Sequence, residues 1–198
     1  MSKGLETRDR ILRQAMRVVS KDGLEGLSIG PLAESLGMSK SGLFAHFGSK
    51  EELQLEVLRT AAADFEETVV RPALKAPRGP ERLRRMFENW LRWAASSDRK
   101  GGCLFAGAAF ELDDRPGPAR DFVAEQSKVL LGVLARTARL GIEAGAFRTD
   151  LDCELLAFQI HALLLGFHHF RRLLRQRGAE EQARESFERL LADAARRN

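Results

Sequence analysis

Several residue types are rare in this chain of 198 residues, which has no tyrosine, two cysteines and six prolines. Cys103 and Cys153 lie far apart and do not form a Cys-x-x-Cys pair. Two such isolated cysteines are typical of reduced thiols, which argues against a structural disulfide. The first ten residues lack the apolar core of a secretory signal. The most apolar stretch, 155–170, contains three histidines and is shorter than the ~20 residues that span a membrane. We therefore expect a cytoplasmic protein.

The residues that are abundant are typical of a helical, globular protein. Hydrophobic residues make up 44% and charged residues 30%, which excludes disorder driven by charge repulsion. Leu, Ala, Arg and Glu are frequent, whereas β-branched residues are few. The net charge is +4, and residues 1–50 carry eight Lys or Arg against five Asp or Glu. This concentration of positive charge favours an anionic partner.

Apolar residues recur at helical spacing along the whole chain, between breaks rich in Gly, Pro and Asp. The pattern predicts an all-α fold of nine helices without a strand. The fourth helix is expected to end at Pro72, because proline lacks an N–H and disturbs a helix interior. The predicted helices lie at about 7–21, 28–36, 40–47, 49–72, 83–94, 103–112, 119–144, 155–167 and 179–196.

The most informative segment is Ser28–Lys50, where two short helices are joined by Gly37-Met38-Ser39. With the preceding helix they form a helix-turn-helix, in which Gly37 lets the chain reverse and Ser39 caps the next helix. Five apolar residues are spaced to pack inward: Leu32, Ala33, Leu36, Leu43 and Phe47. The opposite face of the second short helix is therefore free to enter a major groove, and the small Ser39 allows close approach to DNA.

Residues 36–53, LGMSKSGLFAHFGSKEEL, resemble the signature of the TetR/AcrR family of bacterial transcriptional regulators. The resemblance implies a nine-helix TetR-like architecture with two domains. A helix-turn-helix DNA-binding domain is expected at 1–50, and a larger helical domain that binds a small ligand and dimerises is expected at 51–198.

The resemblance also assigns contacts with DNA. It implies that Ser28 contacts a phosphate and that Lys40, Ser41 and Gly42 face base edges. It also implies that His46 and Lys50 contact the DNA backbone. Phe44 stands where the family usually has a tyrosine that bonds a phosphate, and it has no hydroxyl to offer. For Arg8 and Arg13 in the first helix, a phosphate contact and a solvated surface are the two alternatives.

Large apolar residues concentrate where the family has its effector cavity. Ordinary core packing is the alternative for each single residue, and for Cys103 the alternatives are a buried hydrophobe, which we favour, and an electrophile-sensing thiol. Because the Cys and His residues lack the spacing of metal ligands, no metal or other cofactor is expected. The predicted lining for an aromatic or aliphatic effector is Met86, Phe87, Trp90, Trp93, Cys103, Phe105, Phe110, Phe122, Gln126 and His161.

The eighth helix is apolar on nearly all sides, which favours packing against a second subunit in a four-helix interface of two-fold symmetry. A two-fold dimer places two recognition helices one DNA turn apart and predicts a palindromic operator. The residues predicted at this interface are Phe158, Leu163, Leu164, Phe167, Phe170, Phe187 and Leu190.

The sequence thus predicts a ligand-responsive homodimeric repressor that a small hydrophobic effector releases from double-stranded DNA. An enzyme is disfavoured, because the nucleophile, phosphate-loop and metalloprotease motifs are all missing. A helical protein-interaction module without specific DNA binding is the remaining alternative.

Overall fold

The computed structural model describes residues 3–96 and 101–196, and this part of the chain folds into nine helices without a β-strand, as the sequence predicted. An antiparallel bridge between Phe147 and Ala195 lies outside any strand. Within the described residues, no helix is both long and apolar enough to cross a bilayer. The helices are α1 (Lys3–Asp22), α2 (Ile29–Ser35), α3 (Lys40–Phe47), α4 (Lys50–Phe65, extended as described below), α5 (Pro80–Ala95), α6 (Leu104–Leu112), α7 (Pro118–Glu143), α8 (Cys153–Arg172) and α9 (Ala179–Ala194).

The end of α4 differs from the prediction. The helix does not end at Pro72 but continues from Phe65 through a π-helical turn, Glu66–Val70, into a last α-helical turn, Arg71–Leu74. Pro72 stands in the first positions of that last turn. A proline ring clashes with the carbonyl four residues earlier in a regular α-helix, and the wider π turn gives it room.

Most other helix ends follow the local sequence. Ser39 caps α3 by accepting the Gly42 N–H at 3.1 Å, and Asp152 caps α8 by accepting the Leu155 N–H at 2.9 Å. Ser49 accepts the Glu52 N–H at 3.0 Å at the start of α4, which is one half of a capping box. Ser28 occupies the N-cap position of α2, but its side chain makes no capping hydrogen bond.

The described chain divides into two compact units. One is bounded by Met1–Asp64 and Ala94–Ala124, and its core joins α1–α4 to residues of α6 such as Leu104 and Ala108. The other is bounded by Phe65–Trp93 and Glu125–Asn198. Both units combine separate stretches of sequence, whereas the division that we predict at residue 50 is a single cut.

The second unit is organised around aromatic contacts and ion pairs. Phe87 of α5 stacks on Phe187 of α9, with centroids 4.2 Å apart and planes 6° apart. Two ion pairs join the same helices with opposite polarity: Arg84 to Glu188 at 2.8 Å, and Arg184 to Glu88 at 2.7 Å. Together these contacts fix how α5 and α9 align.

Candidate nucleic-acid interface

The turn between α2 and α3 orients the second helix of the motif. Gly37 takes a positive φ of 65°, a conformation that suits glycine, and the chain reverses there. On the far side, Leu43 and Phe47 of α3 are buried with Leu32 and Ala33 of α2. This packing confirms the inward face predicted for these four residues and leaves the opposite side of α3 in solvent.

The exposed face of α3 consists of Lys40, Ser41, Phe44 and Ala45. Phe44 is 49% exposed, although it is a large aromatic side chain. The stem of Lys40 lies over Gly30 of α2, where an added Cβ would come within 3.1 Å of its Cε. Ala45 was missed in the sequence reasoning, although its spacing of four residues from Ser41 places both on one side of a helix.

Other predicted DNA contacts are less accessible. His46 is half-buried beside Phe47, and the Gly42 N–H is already donated to Ser39. Lys50 is engaged within the protein, because its Nζ donates to the Glu25 main-chain oxygen at 3.1 Å and lies 3.4 Å from Glu25 Oε2. Ser28 and Ser39 are exposed. A phosphate would therefore have to compete with Glu25 for Lys50.

Arg8 of α1 follows neither of the two alternatives, and the exposure of Arg13 leaves both open. Arg8 forms an ion pair with Glu56 of α4, and its guanidinium lies 5.1 Å from the centroid of the Phe47 ring. Hydrogen bonds from Arg59 and Arg8 lower the pKa of Glu56 below its ordinary value. Arg13 is exposed. Arg8 thus helps to hold α1 on α4.

The turn between α1 and α2 is held by side chains distant in sequence. Glu111 of α6 accepts the Leu24 N–H at 2.8 Å and the Glu25 N–H at 2.7 Å, and the buried Gln54 donates to the Leu24 carbonyl at 2.7 Å. Gly23, with φ of 78°, leaves room for the carboxylate, because an added Cβ would lie 2.7 Å from Glu111 Oε2. We call the contacts of Glu111 and Gln54 with this turn the turn clamp. No local sequence signal marks Glu111, which is 86 residues from Glu25.

The residues predicted to line the effector site fall in both units. In the second unit, Trp90 meets Phe167 edge-on at 5.8 Å and Trp93 meets Phe65 at 5.2 Å, so both tryptophans pack within the unit. Met86 and Phe87 are also buried there, Gln126 and His161 are half-buried, and burial lowers the pKa of His161.

In the first unit, Cys103 is buried, and Phe105 and Phe122 pack on the core. Phe110 points to solvent and is 62% exposed. Both cysteines are free thiols, and burial raises the pKa of the Cys153 thiol. Among the described residues, no group of three or more Cys, His, Asp or Glu is arranged to hold a metal ion.

The residues predicted at the dimer interface also separate into two groups. Phe158 and Phe170 of α8 are exposed, the former by 63%. Leu164, Phe167 and Phe187 are instead buried within their own unit, because α8 turns one side inward. Leu163 and Leu190 are half-buried. A second copy of the chain can reach the exposed group, and the sequence pattern did not distinguish the two.

Comparison with known proteins agrees with the helix-turn-helix and with the helical remainder. Residues 11–57 match the family model described as bacterial regulatory proteins, tetR family, and residues 79–187 match the tetracyclin repressor-like C-terminal domain. The chain is 31% identical over 165 residues to the HTH-type transcriptional repressor AcnR of Corynebacterium efficiens, covering 83% of this chain and 81% of that protein.

Solved structures share the fold over almost the entire chain. A TetR transcriptional regulator from Chloroflexus aurantiacus superposes with a TM-score of 0.85 at 26% identity, covering 97% of this chain and 96% of its own. A transcriptional regulator from Saccharomonospora viridis, solved in complex with choline, gives 0.83 at 25% identity, covering 98% and 100%. These relatives are regulators and not enzymes, and the chain belongs to the TetR family of bacterial transcriptional regulators.

Proposed function

We propose that the protein is a homodimeric repressor that binds a palindromic operator through α3 and is released by a small hydrophobic effector. The observation that carries the proposal is the exposed face of α3, on which a cation, a hydroxyl and two apolar groups stand together while Leu43 and Phe47 anchor the opposite side. Such a protein acts in the bacterial cytoplasm, where its DNA is found.

Three of the four residues of this face match the chemistry of base edges in the major groove. Lys40 suits the O6 and N7 acceptors of guanine, and Ser41 suits either a donor or an acceptor. Ala45 suits the methyl group of thymine, whereas Phe44 stands at the position where the resemblance places a phosphate contact. The backbone phosphates would be contacted by the exposed hydroxyls of Ser28 and Ser39, and DNA shape supplies the readout that Gly42 cannot.

Binding to the DNA upstream of the protein's own gene tests this function. Affinity should fall steeply between low and moderate salt, because Lys and Arg release counterions from the phosphates. Lys40→Ala should weaken specific binding by about 1–3 kcal/mol, whereas substitution of Lys75, which is also exposed, by alanine should not. Absent or salt-insensitive binding would instead favour the interaction module.

The dimer is supported by the apolar surface of α8, where Leu155, Phe158 and Phe170 are exposed at helical spacing. Phe158→Glu should give a monomer in analytical ultracentrifugation at micromolar concentration. Phe110→Glu is a matched control, since Phe110 is 62% and Phe158 63% exposed, and it should leave the dimer intact. A wild-type monomer would contradict the proposed assembly.

The effector would bind preferentially to a conformation in which the distance between the two recognition helices of the dimer does not match one turn of DNA. The S. viridis relative supports a small-molecule ligand, because that protein was solved with choline. In this chain, Trp90 and Phe167 are the aromatic pair within the second unit that an effector is expected to reach. Trp90→Ala should spare DNA binding and alter induction, and unchanged induction would exclude Trp90 from the effector site.

A further inference from the structure

Arg171 occupies a position in α8 where the helix pattern calls for an apolar residue. The inward side of α8 repeats every three or four residues, and Arg171 follows Phe167 by four, so it continues that side into the last turn. The buried members of the series are Cys153, Leu156, Ala157, Ile160, Leu164 and Phe167. An arginine therefore stands at the end of a core-facing stripe.

The guanidinium of Arg171 has no hydrogen-bonding or ion-pairing partner among the described residues. Its Nη1 is buried and unpaired, and its Cζ lies 5.8 Å from the centroid of the Phe167 ring. Arginine keeps its charge at any accessible pH, so it cannot avoid the cost of burial by losing a proton. Arg171 as a whole is half-buried, and leaving its buried Nη1 without an acceptor carries a cost in stability.

The surroundings of Arg171 are aromatic and positively charged. Phe167 is shared with Trp90, whose ring it meets edge-on at 5.8 Å. Burial, together with the charges of Arg172 and Arg171, lowers the pKa of His168. No described side chain supplies an acceptor to Nη1, and an anion or a strong dipole bound here would supply one.

We infer that Arg171 anchors the carboxylate of an effector whose apolar body contacts Phe167 and Trp90. The planar guanidinium offers two parallel N–H donors that match the two oxygens of a carboxylate. The inference rests on the proposed function, because it specifies the chemical class of the effector. A carboxylate from a second copy of this chain is less suited, since Arg171 lies on the inward side of α8 whereas Phe158 and Phe170 are exposed.

Thermal unfolding with paired compounds tests the inference and does not require the natural effector to be identified. Each pair consists of a carboxylic acid and its primary amide: octanoate and octanamide, 4-phenylbutyrate and its amide, and cinnamate and cinnamamide, with choline as a cationic control. The proteins are the wild type, Arg171→Met, and Arg177→Met, which removes an exposed arginine from the loop after α8.

We expect at least one acid, but neither its amide nor choline, to raise the Tm of the wild type and of Arg177→Met by about 3–6 °C at ten times its Kd. Arg171→Met should lose this response. Without ligand, its Tm should equal or exceed that of the wild type, because the substitution removes an unpaired buried charge. A residue needed only for folding would instead give a lower Tm.

Other results would overturn the inference: no acid stabilises the wild type, an amide or choline does so equally well, or Arg171→Met keeps the response. Conversion of Arg171→Met alone to a monomer would assign Arg171 to a carboxylate of a second copy. The proposed function is tested separately, by measuring DNA binding of the ligand-free wild type. If DNA binding failed while Arg171-dependent binding of acids persisted, the repressor proposal would fall and the anion site would stand.

Discussion

The turn clamp makes a quantitative prediction about the DNA-binding region. Glu111→Ala removes the acceptor of two backbone N–H groups, those of Leu24 and Glu25. Hydrogen bonds to a charged group contribute about 1.5–3 kcal/mol each, but water can replace the bond to the exposed Glu25 amide. The expected loss in free energy of unfolding is therefore about 2–3 kcal/mol, mostly from the partly buried Leu24 amide.

Urea unfolding and amide hydrogen exchange measure this effect. Glu111→Gln should lose about half as much stability as Glu111→Ala, because the side-chain amide oxygen still accepts one bond. The exposed Glu143→Ala serves as the control and should change stability by less than about 0.5 kcal/mol. Exchange at the Leu24 and Glu25 amides should accelerate in the Glu111 variants and stay unchanged in the control.

A double-mutant cycle with Gly23 tests the geometry itself. Gly23→Ala should cost about 1–2 kcal/mol for its positive φ, and more because the new Cβ would lie 2.7 Å from Glu111 Oε2. In the Glu111→Ala background that contact is absent. The double variant should therefore lose less stability than the sum of the two single losses, by about 0.5 kcal/mol or more. Strict additivity, or a Glu111→Ala loss below about 0.5 kcal/mol, would refute the clamp.

Three further predictions concern single side chains. Phe44→Tyr should strengthen operator binding, because the restored hydroxyl can donate to a phosphate, and equal or weaker affinity in a fluorescence-anisotropy titration would show that the hydroxyl has no partner there. Glu25→Gln should also raise DNA affinity, since it removes the negative charge that competes with a phosphate for Lys50 and leaves only the bond to the Glu25 main-chain oxygen, and a salt slope that stays the same as that of the wild type would contradict this. Burial lowers the pKa values of His161 and His168, so the stability due to their neutral forms is complete above the unfolded pKa of about 6.5 and is lost as pH falls below it. The free energy of unfolding should therefore decrease from about pH 7 to pH 5, and replacement of both by glutamine should flatten the decrease.

Local sequence signals predicted the helices and the helix-turn-helix well. Ser39 and Asp152 cap where their side chains can accept an amide N–H, and Gly37 turns the chain where the sequence placed the break. The prediction that α4 ends at Pro72 was wrong, because a π turn can accommodate proline and nothing in local propensity signals that turn. Local chemistry therefore determined most boundaries of the fold, although α1 also begins earlier than predicted, at Lys3, and α8 ends later, at Arg172.

The contacts that position the candidate site could not be read from the sequence. Glu111 and Gln54 meet the α1–α2 turn only after α4 and α6 pack against it, and neither residue type at its position indicates such a role. The apolar composition of α8 likewise hid which side is buried, so Phe158 and Phe167 were grouped although one is exposed and the other is not. Tertiary packing decides both questions.

The opposite polarity of the two ion pairs between α5 and α9 limits how these helices can move. If α9 slid along α5 by one helical turn, Arg84 would face Arg184 and Glu88 would face Glu180, so two attractions would become two repulsions. A slide in the other direction would bring Glu88 opposite Glu188. The two ion pairs therefore oppose a slide of α9 along α5, and under the proposed function we expect an effector to rotate or displace other elements of this unit.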